Sequence, residues 1–222
     1  MALNKLKYNS LNLTPAANKA IGFDSDADAL EATLEPGSMT FIKKLTASSS
    51  GTLSFVDGSS DVVLDSTYKE YLFIFNNIHP QTDGVKFQVG FRDGGTDYDA
   101  SKTTTIFQAY HNEAGNDTAL NYDTGEDHAN GTGFQTMTGG DSLGSDADQC
   151  IVGTLHLFNP SSTTFVKHYM MRSNWFQHND YAQDAFKAGY INTTAAVTAI
   201  QFKSTSGNID SGTFKLYGIK DS

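Results

Sequence analysis

Apolar and polar positions alternate most regularly between Tyr68 and Arg92. In Val85-Lys-Phe-Gln-Val-Gly-Phe-Arg92, the residues Val85, Phe87, Val89 and Phe91 fall on one face and Lys86, Gln88, Gly90 and Arg92 on the other, the two-residue period of a half-buried strand. The preceding run, Tyr68 to Ile78, is apolar on both sides, with Tyr71, Phe73 and Phe75 on one face and Leu72 and Ile74 on the other. That pattern suits a strand covered by a second layer. His79-Pro-Gln-Thr-Asp-Gly84 supplies turn residues between them, so the two runs read as a hairpin. Its predicted core is Tyr71, Phe73, Phe75, Val85, Phe87, Val89 and Phe91.

Further runs predict strands at Thr40–Thr46, Thr52–Val56, Thr104–Tyr110, Gly133–Met137, Cys150–Phe158, Thr164–Arg172, Ala185–Ile191, Ala195–Phe202 and Gly212–Ile219. Turn signals separate about ten strands at a spacing of roughly ten residues, which predicts an all-β, antiparallel, jelly-roll-like β-sandwich. Two longer connections, Asn112–Gly131 and Thr138–Gln149, are polar, Gly-rich and acidic and read as surface loops at one end of the sandwich. Residues 1–36 break the pattern. Leu3, Leu6, Tyr8, Leu11, Leu13, Ile21 and Phe23 are spaced too irregularly for a helix or strand, and Pro15 and Pro36 bracket small and acidic residues. This stretch reads as an extended N-terminal arm, ordered by lying on its own body or on a neighbouring subunit. Residues 37–222 form the sandwich domain in this reading.

Charge narrows the function classes. The chain carries 25 acidic against 15 basic residues, a formal net charge of -10, so its field repels phosphate backbones and anionic lipid. Its lysines form no basic stripe interleaved with aromatics, so no nucleic-acid partner is expected. The single cysteine, Cys150, excludes an internal disulfide or a thiolate cluster. No apolar run reaches the length of a membrane span, and Met1-Ala-Leu-Asn-Lys-Leu-Lys-Tyr8 lacks a signal-peptide core. A soluble protein made in a reducing cytoplasm is the expectation, without membrane contact.

Candidate chemistry is sparse. Gly140-Asp-Ser-Leu-Gly144 matches a nucleophile elbow and the GDSL tetrapeptide, but neither an apolar strand before it nor a helix after it is predicted, and no D-x-x-H element occurs. Asp24-Ser-Asp-Ala-Asp28 with Glu35 imitates EF-hand spacing, yet Ala29 stands where the loop needs glycine. The remaining acidic loops, including Asp123, Glu126, Asp141 and Asp146, read as solvated, with a looser calcium site formed by their oxygens as the alternative. Of six histidines, His156 and His168 fall on adjacent predicted strands, short of the three or four ligands of a closed site. No catalytic residue, metal or cofactor is therefore assigned, and the chain is read as non-enzymatic. Asn174-Trp-Phe-Gln-His-Asn-Asp-Tyr181 reads as a loop whose Trp175, Phe176 and Tyr181 offer aromatic faces among amides and carboxylates, the chemistry of a carbohydrate or receptor contact, with core packing of Trp175 the favoured alternative.

Several phrases carry a resemblance. Leu45-Thr-Ala-Ser-Ser-Ser-Gly-Thr-Leu-Ser-Phe55, Asp65-Ser-Thr-Tyr-Lys-Glu-Tyr-Leu-Phe73 with Asn77-Ile-His-Pro-Gln-Thr-Asp83, Gly153 to His168, Ser206 to Gly218 and the opening Leu11-Asn-Leu-Thr-Pro-Ala-Ala17 resemble virion structural proteins of marine tailed phages, cyanophages among them. The resemblance covers most of the chain and contains no catalytic motif. It implies a tail-associated or capsid-surface component of the virion, present in many copies, that contacts other virion proteins. The many-stranded sandwich and the arm add the expectation of a homo-oligomer, read as a trimer. A carbohydrate- or receptor-binding module that engages a host-surface glycan is the alternative.

Overall fold

All seven side chains of the predicted core are buried, none more than 4% exposed. The computed structural model describes residues 20–23, 30–34 and 38–221. Within Thr40–Ser222 and the start of its first strand, the alternating runs become β3 (Met39–Thr46), β4 (Leu53–Val56), β5 (Glu70–Pro80), β6 (Phe87–Arg92), β7 (Lys102–Asn112), β8 (Thr118–Tyr122) and β9 (Gln135–Thr136). They continue as β10 (Ile151–Phe158), β11 (Lys167–Gln177), β12 (Tyr181–Ile191), β13 (Ala199–Ser204) and β14 (Ile209–Ile219). There is no helix among the described residues.

Eight of these strands make the jelly-roll pair of facing layers, β3-β14-β5-β10 against β4-β13-β6-β9, with successive strands β3 to β6 alternating between the two. The inter-layer core is aromatic. Phe55 of β4 meets Phe73 of β5 edge-on at 5.4 Å, and Phe87 of β6 lies 5.9 Å from Phe214 of β14. Two inserted hairpins, β7–β8 and β11–β12, join one another through the β12–β7 pairing and dock on β10, so the first layer grows to eight strands, β3-β14-β5-β10-β11-β12-β7-β8. The second layer keeps four. The insertions therefore overhang.

The hairpin expected from Tyr68 to Arg92 is corrected. β5 pairs with β10 and β14, β6 pairs with β9 and β13, and the connection between β5 and β6 carries the chain from one layer to the other. Alternation had identified the buried face of each strand but carries no information about its neighbour. The two long connections also differ from free surface loops. The first contains edge strand β8. In the second, Leu143 is fully buried, donates its N–H to the Val85 carbonyl at 2.8 Å and forms isolated bridges with Val85 and Gln177.

The segment read as an arm contains a separate two-stranded unit. β1 (Ala20–Phe23) and β2 (Leu30–Leu34) pair antiparallel with a register shift between Ala20 and Gly22, so Ile21 and Phe23 lie in a strand despite their irregular spacing. Leu3, Leu6, Tyr8, Leu11 and Leu13 lie outside the described residues.

One backbone position is demanding. β14 bulges at Ser211–Thr213 against β5, and Gly212 there has φ +121° with the Asn77 carbonyl oxygen 2.7 Å from where a Cβ would stand. Gly212→Ala is expected to destabilise by about 1–3 kcal/mol, read as a lower denaturation midpoint with unchanged slope.

Candidate functional site

The overhang decides where a site can form. Along β7 the inward-facing residues are Lys102, Thr104, Ile106, Gln108 and Tyr110; along β12 they are Ile191, Lys187, Ala185, Gln183 and Tyr181. At the lower half of these strands, the segment Gly133–Met137 covers the sheet. Lys187 donates to the Met137 carbonyl at 2.6 Å, while Lys102 donates to the Gly133 carbonyl. A third buried lysine, Lys167 on β11, donates to the Thr193 carbonyl at 3.0 Å and also to that of Ala195. Burial pushes the Lys187 ammonium down to about 7 and that of Lys102 down to about 8, and lowers Lys167 as well. These lysines act as ties between the overhanging strands and the backbone that covers them.

At the other half the cover thins to the loop after Met137, and a cavity of 560 Å³ opens. Its floor comes from β7, β11 and β12: Gln183 stands opposite Tyr110, Tyr181 opposite Gln177, and Gln108 beside Asn121 of β8. Its rim carries Asp117, Asp123 and Asp141. The carboxylates are held in place: Asp117 accepts the Tyr181 hydroxyl at 2.9 Å, Asp123 accepts the Gly140 N–H at 2.6 Å, and Asp141 accepts the Gln183 amide at 2.8 Å. Glycine at 139 allows this closure, because a Cβ there would fall 1.6 Å from the Gln108 amide oxygen.

Gln108 and Gln183 are 4% and 3% exposed, yet the Oε1 of each has no hydrogen-bond partner among the described residues. A buried amide oxygen without a donor costs about 1–3 kcal/mol, so both glutamines are held at a cost beneath the loop, Gln108 against Gly139 and Gln183 through its amide to Asp141. Tyr110 and Tyr181 meet edge-on at 5.8 Å beside them. The arrangement can bind a ligand rich in hydroxyls.

Only one of the three aromatic residues read as a recognition loop serves this cavity. β11 runs on to Gln177, so Asn174–Gln177 is strand and the turn is confined to His178–Asp180. Trp175 is 1% exposed inside the sandwich, with the Lys187 ammonium 5.9 Å from its ring centre, and has no face to offer a ligand. Phe176 is half-buried on the opposite side of β11, while Tyr181 lines the cavity. The polar composition of the stretch had masked its strand character: Ser173, Trp175 and Gln177 all face inward.

The other candidates separate in space. Gly140–Gly144 lies between β9 and β10, and the Ser142 carbonyl accepts the His178 N–H at 3.3 Å. His156 sits 2.8 Å from the Glu70 carboxylate, and the His168 ring lies 6.0 Å from that of Tyr190. Burial pushes the half-buried Cys150 thiol up, which disfavours its thiolate. Among the described residues no three His, Cys, Asp or Glu side chains gather as metal ligands. Asp24, Asp26, Asp28 and Glu35 lie outside the described residues.

Gln108, Gln183 and Asp141 were not singled out as a site from sequence. Their available signal was glutamine at inward-facing positions of an alternating strand. Set against protein-family models, curated proteins and solved structures, the chain matches none of them.

Proposed function

We propose that this chain is a non-enzymatic structural component of a tailed-phage virion, tail-associated or on the capsid surface, that assembles as a homo-oligomer through residues 1–36. Self-association, apart from the arm, is supported by the outward face of the overhanging strands. Phe186 pairs opposite Phe107, which pairs opposite Tyr122, and the Phe107 and Phe186 rings stack at 5.0 Å. Phe107 is 45% exposed and neighbouring Met170 57%. Exposed aromatic side chains in register across three strands, with Arg172 stacked over Phe186 and Met170 beside them, support an interface, which this reading assigns to a second copy of the chain. The virion setting is supported by the resemblance of the strand and turn phrases given above.

Deleting residues 2–36 is expected to abolish incorporation into particles while the purified remainder still melts cooperatively, because Thr40–Ser222 holds its own core. Normal incorporation of the truncated chain overturns the assembly role.

A further inference from the structure

The polar cavity has no part in that assembly role, and we propose that it is a binding site for a neutral saccharide. Four features of the site point to this ligand class. First, its polar groups sit on strands. Gln108, Gln177 and Gln183 project inward from β7, β11 and β12 at positions where the rest of the sandwich places apolar side chains, and each is at least nine-tenths buried. Amides held this way are pre-organised, so little ordering entropy remains to be lost on binding.

Second, the hydrogen-bonding inventory is lopsided. The rim offers three carboxylates, of which Asp117 and Asp141 each hold one donor from the chain and Asp123 holds two. Further acceptor capacity remains on every one of them. Sugar hydroxyls supply donors to such acceptors and in turn accept from the Asn121 and Asn179 amides on the wall.

Third, Tyr110 and Tyr181 meet edge-on at 5.8 Å on the cavity wall and place ring edges beside its polar groups. Fourth, charge selects within the class. Asp117, Asp123 and Asp141 at the rim of a chain of net charge -10 repel phosphorylated, sulfated or carboxylated sugars. The volume of 560 Å³ falls within the roughly 300–1,000 Å³ of small-molecule sites, room for a short oligosaccharide.

This proposal and the virion role fail separately, since one is read on purified protein and the other on particles. The full-length chain is to be applied to an array of neutral oligosaccharides built from glucose, galactose, mannose and N-acetylglucosamine, with sialylated and phosphorylated sugars alongside. The strongest binder is then titrated calorimetrically. Saturable binding to at least one neutral sugar is expected, and none to the acidic set. Asn121→Ala, at an exposed edge position, is expected to weaken it about threefold, the loss of one neutral hydrogen bond, and Asp141→Asn, which keeps the side-chain shape, about tenfold or more, the loss of one to a charged group, with thermal melting unchanged in both. Absence of saturable binding to any neutral sugar overturns the proposal, as does binding that both variants leave intact. So does saturable Ca²⁺ uptake by the sugar-free protein that Asp141→Asn removes, which assigns the cavity to a cation.

Discussion

Phe202→Ala is expected to lower the stability of the sandwich by about 3–5 kcal/mol, the range for emptying a phenylalanine-sized volume in a close-packed core. Phe202 is the hub of the inter-layer aromatics. From the centre of the four-stranded layer its ring stacks on Phe214 at 4.7 Å and reaches Phe55, Phe73 and Phe87 at 6.2–6.4 Å. Those partners sit on four different strands spanning both layers, so no single side chain can move into the void without leaving another. Urea denaturation at pH 7 measures the loss. Phe165→Ala, at a position 69% exposed, is the control and is expected to change stability by less than about 0.5 kcal/mol. Equal small effects from both substitutions would place the core elsewhere.

The second large effect is on the pH profile. Lysine in an unfolded chain titrates near about 10.4, whereas burial lowers Lys187 to about 7, Lys102 to about 8 and Lys167 by direction only. Between about pH 7 and 10 the unfolded chain therefore binds more protons than the folded one, and stability rises with pH across that window. Below pH 7 the ammonium of Lys187 is charged in both states and its contribution is flat. Above pH 10 the trend reverses. Burial holds the Tyr71 and Tyr169 hydroxyls well above the usual phenol range, so the unfolded phenols lose protons first and stability falls. The optimum is expected near pH 9–10, alkaline of the usual 5–8, with each lysine contributing at most about 1.4 kcal/mol per pH unit.

Lys187→Met isolates this effect. The Met137 carbonyl keeps the Ser173 hydroxyl as a donor, so removing the ammonium strands no acceptor. The variant is expected to be more stable than the parent at pH 6 by on the order of 1–4 kcal/mol, as when buried charge gives way to apolar volume. Its rise between pH 7 and 9 should be shallower. Denaturation midpoints at four or five pH values decide the matter, and an unchanged slope would assign the profile to other groups.

What the sequence made legible was the inside and outside of each strand. Tyr71, Phe73, Phe75, Val85, Phe87, Val89 and Phe91 alternate, and all seven are buried; the jelly-roll class followed from the number and spacing of such runs. Strand partners were not legible, because alternation has the same period whichever neighbour a strand pairs with. Hence β5 and β6 read as a hairpin although they lie in opposite layers. The site was hidden for a related reason. Lys102, Gln108, Lys187 and Gln183 are polar residues on an inward face, and a polar residue at an inward position blurs the pattern that reveals the strand. Thr118–Tyr122 and Asn174–Gln177 were read as loop on that account, and they border or build the cavity.

The placement of β14 between β3 and β5 also sets the order in which the molecule can come into being. Among the described strands, β3 has no neighbour and β5 keeps one edge open during synthesis until the residues up to Ile219 have left the ribosome; β4 likewise waits for β13. A chain interrupted after β12 presents unpaired strand edges with aromatic side chains beside them, the condition for joining another unfinished copy. The sandwich therefore closes in one late step across large sequence separations, which makes folding slow, and loss of the eleven-residue strand β14 alone is enough to leave the first layer open.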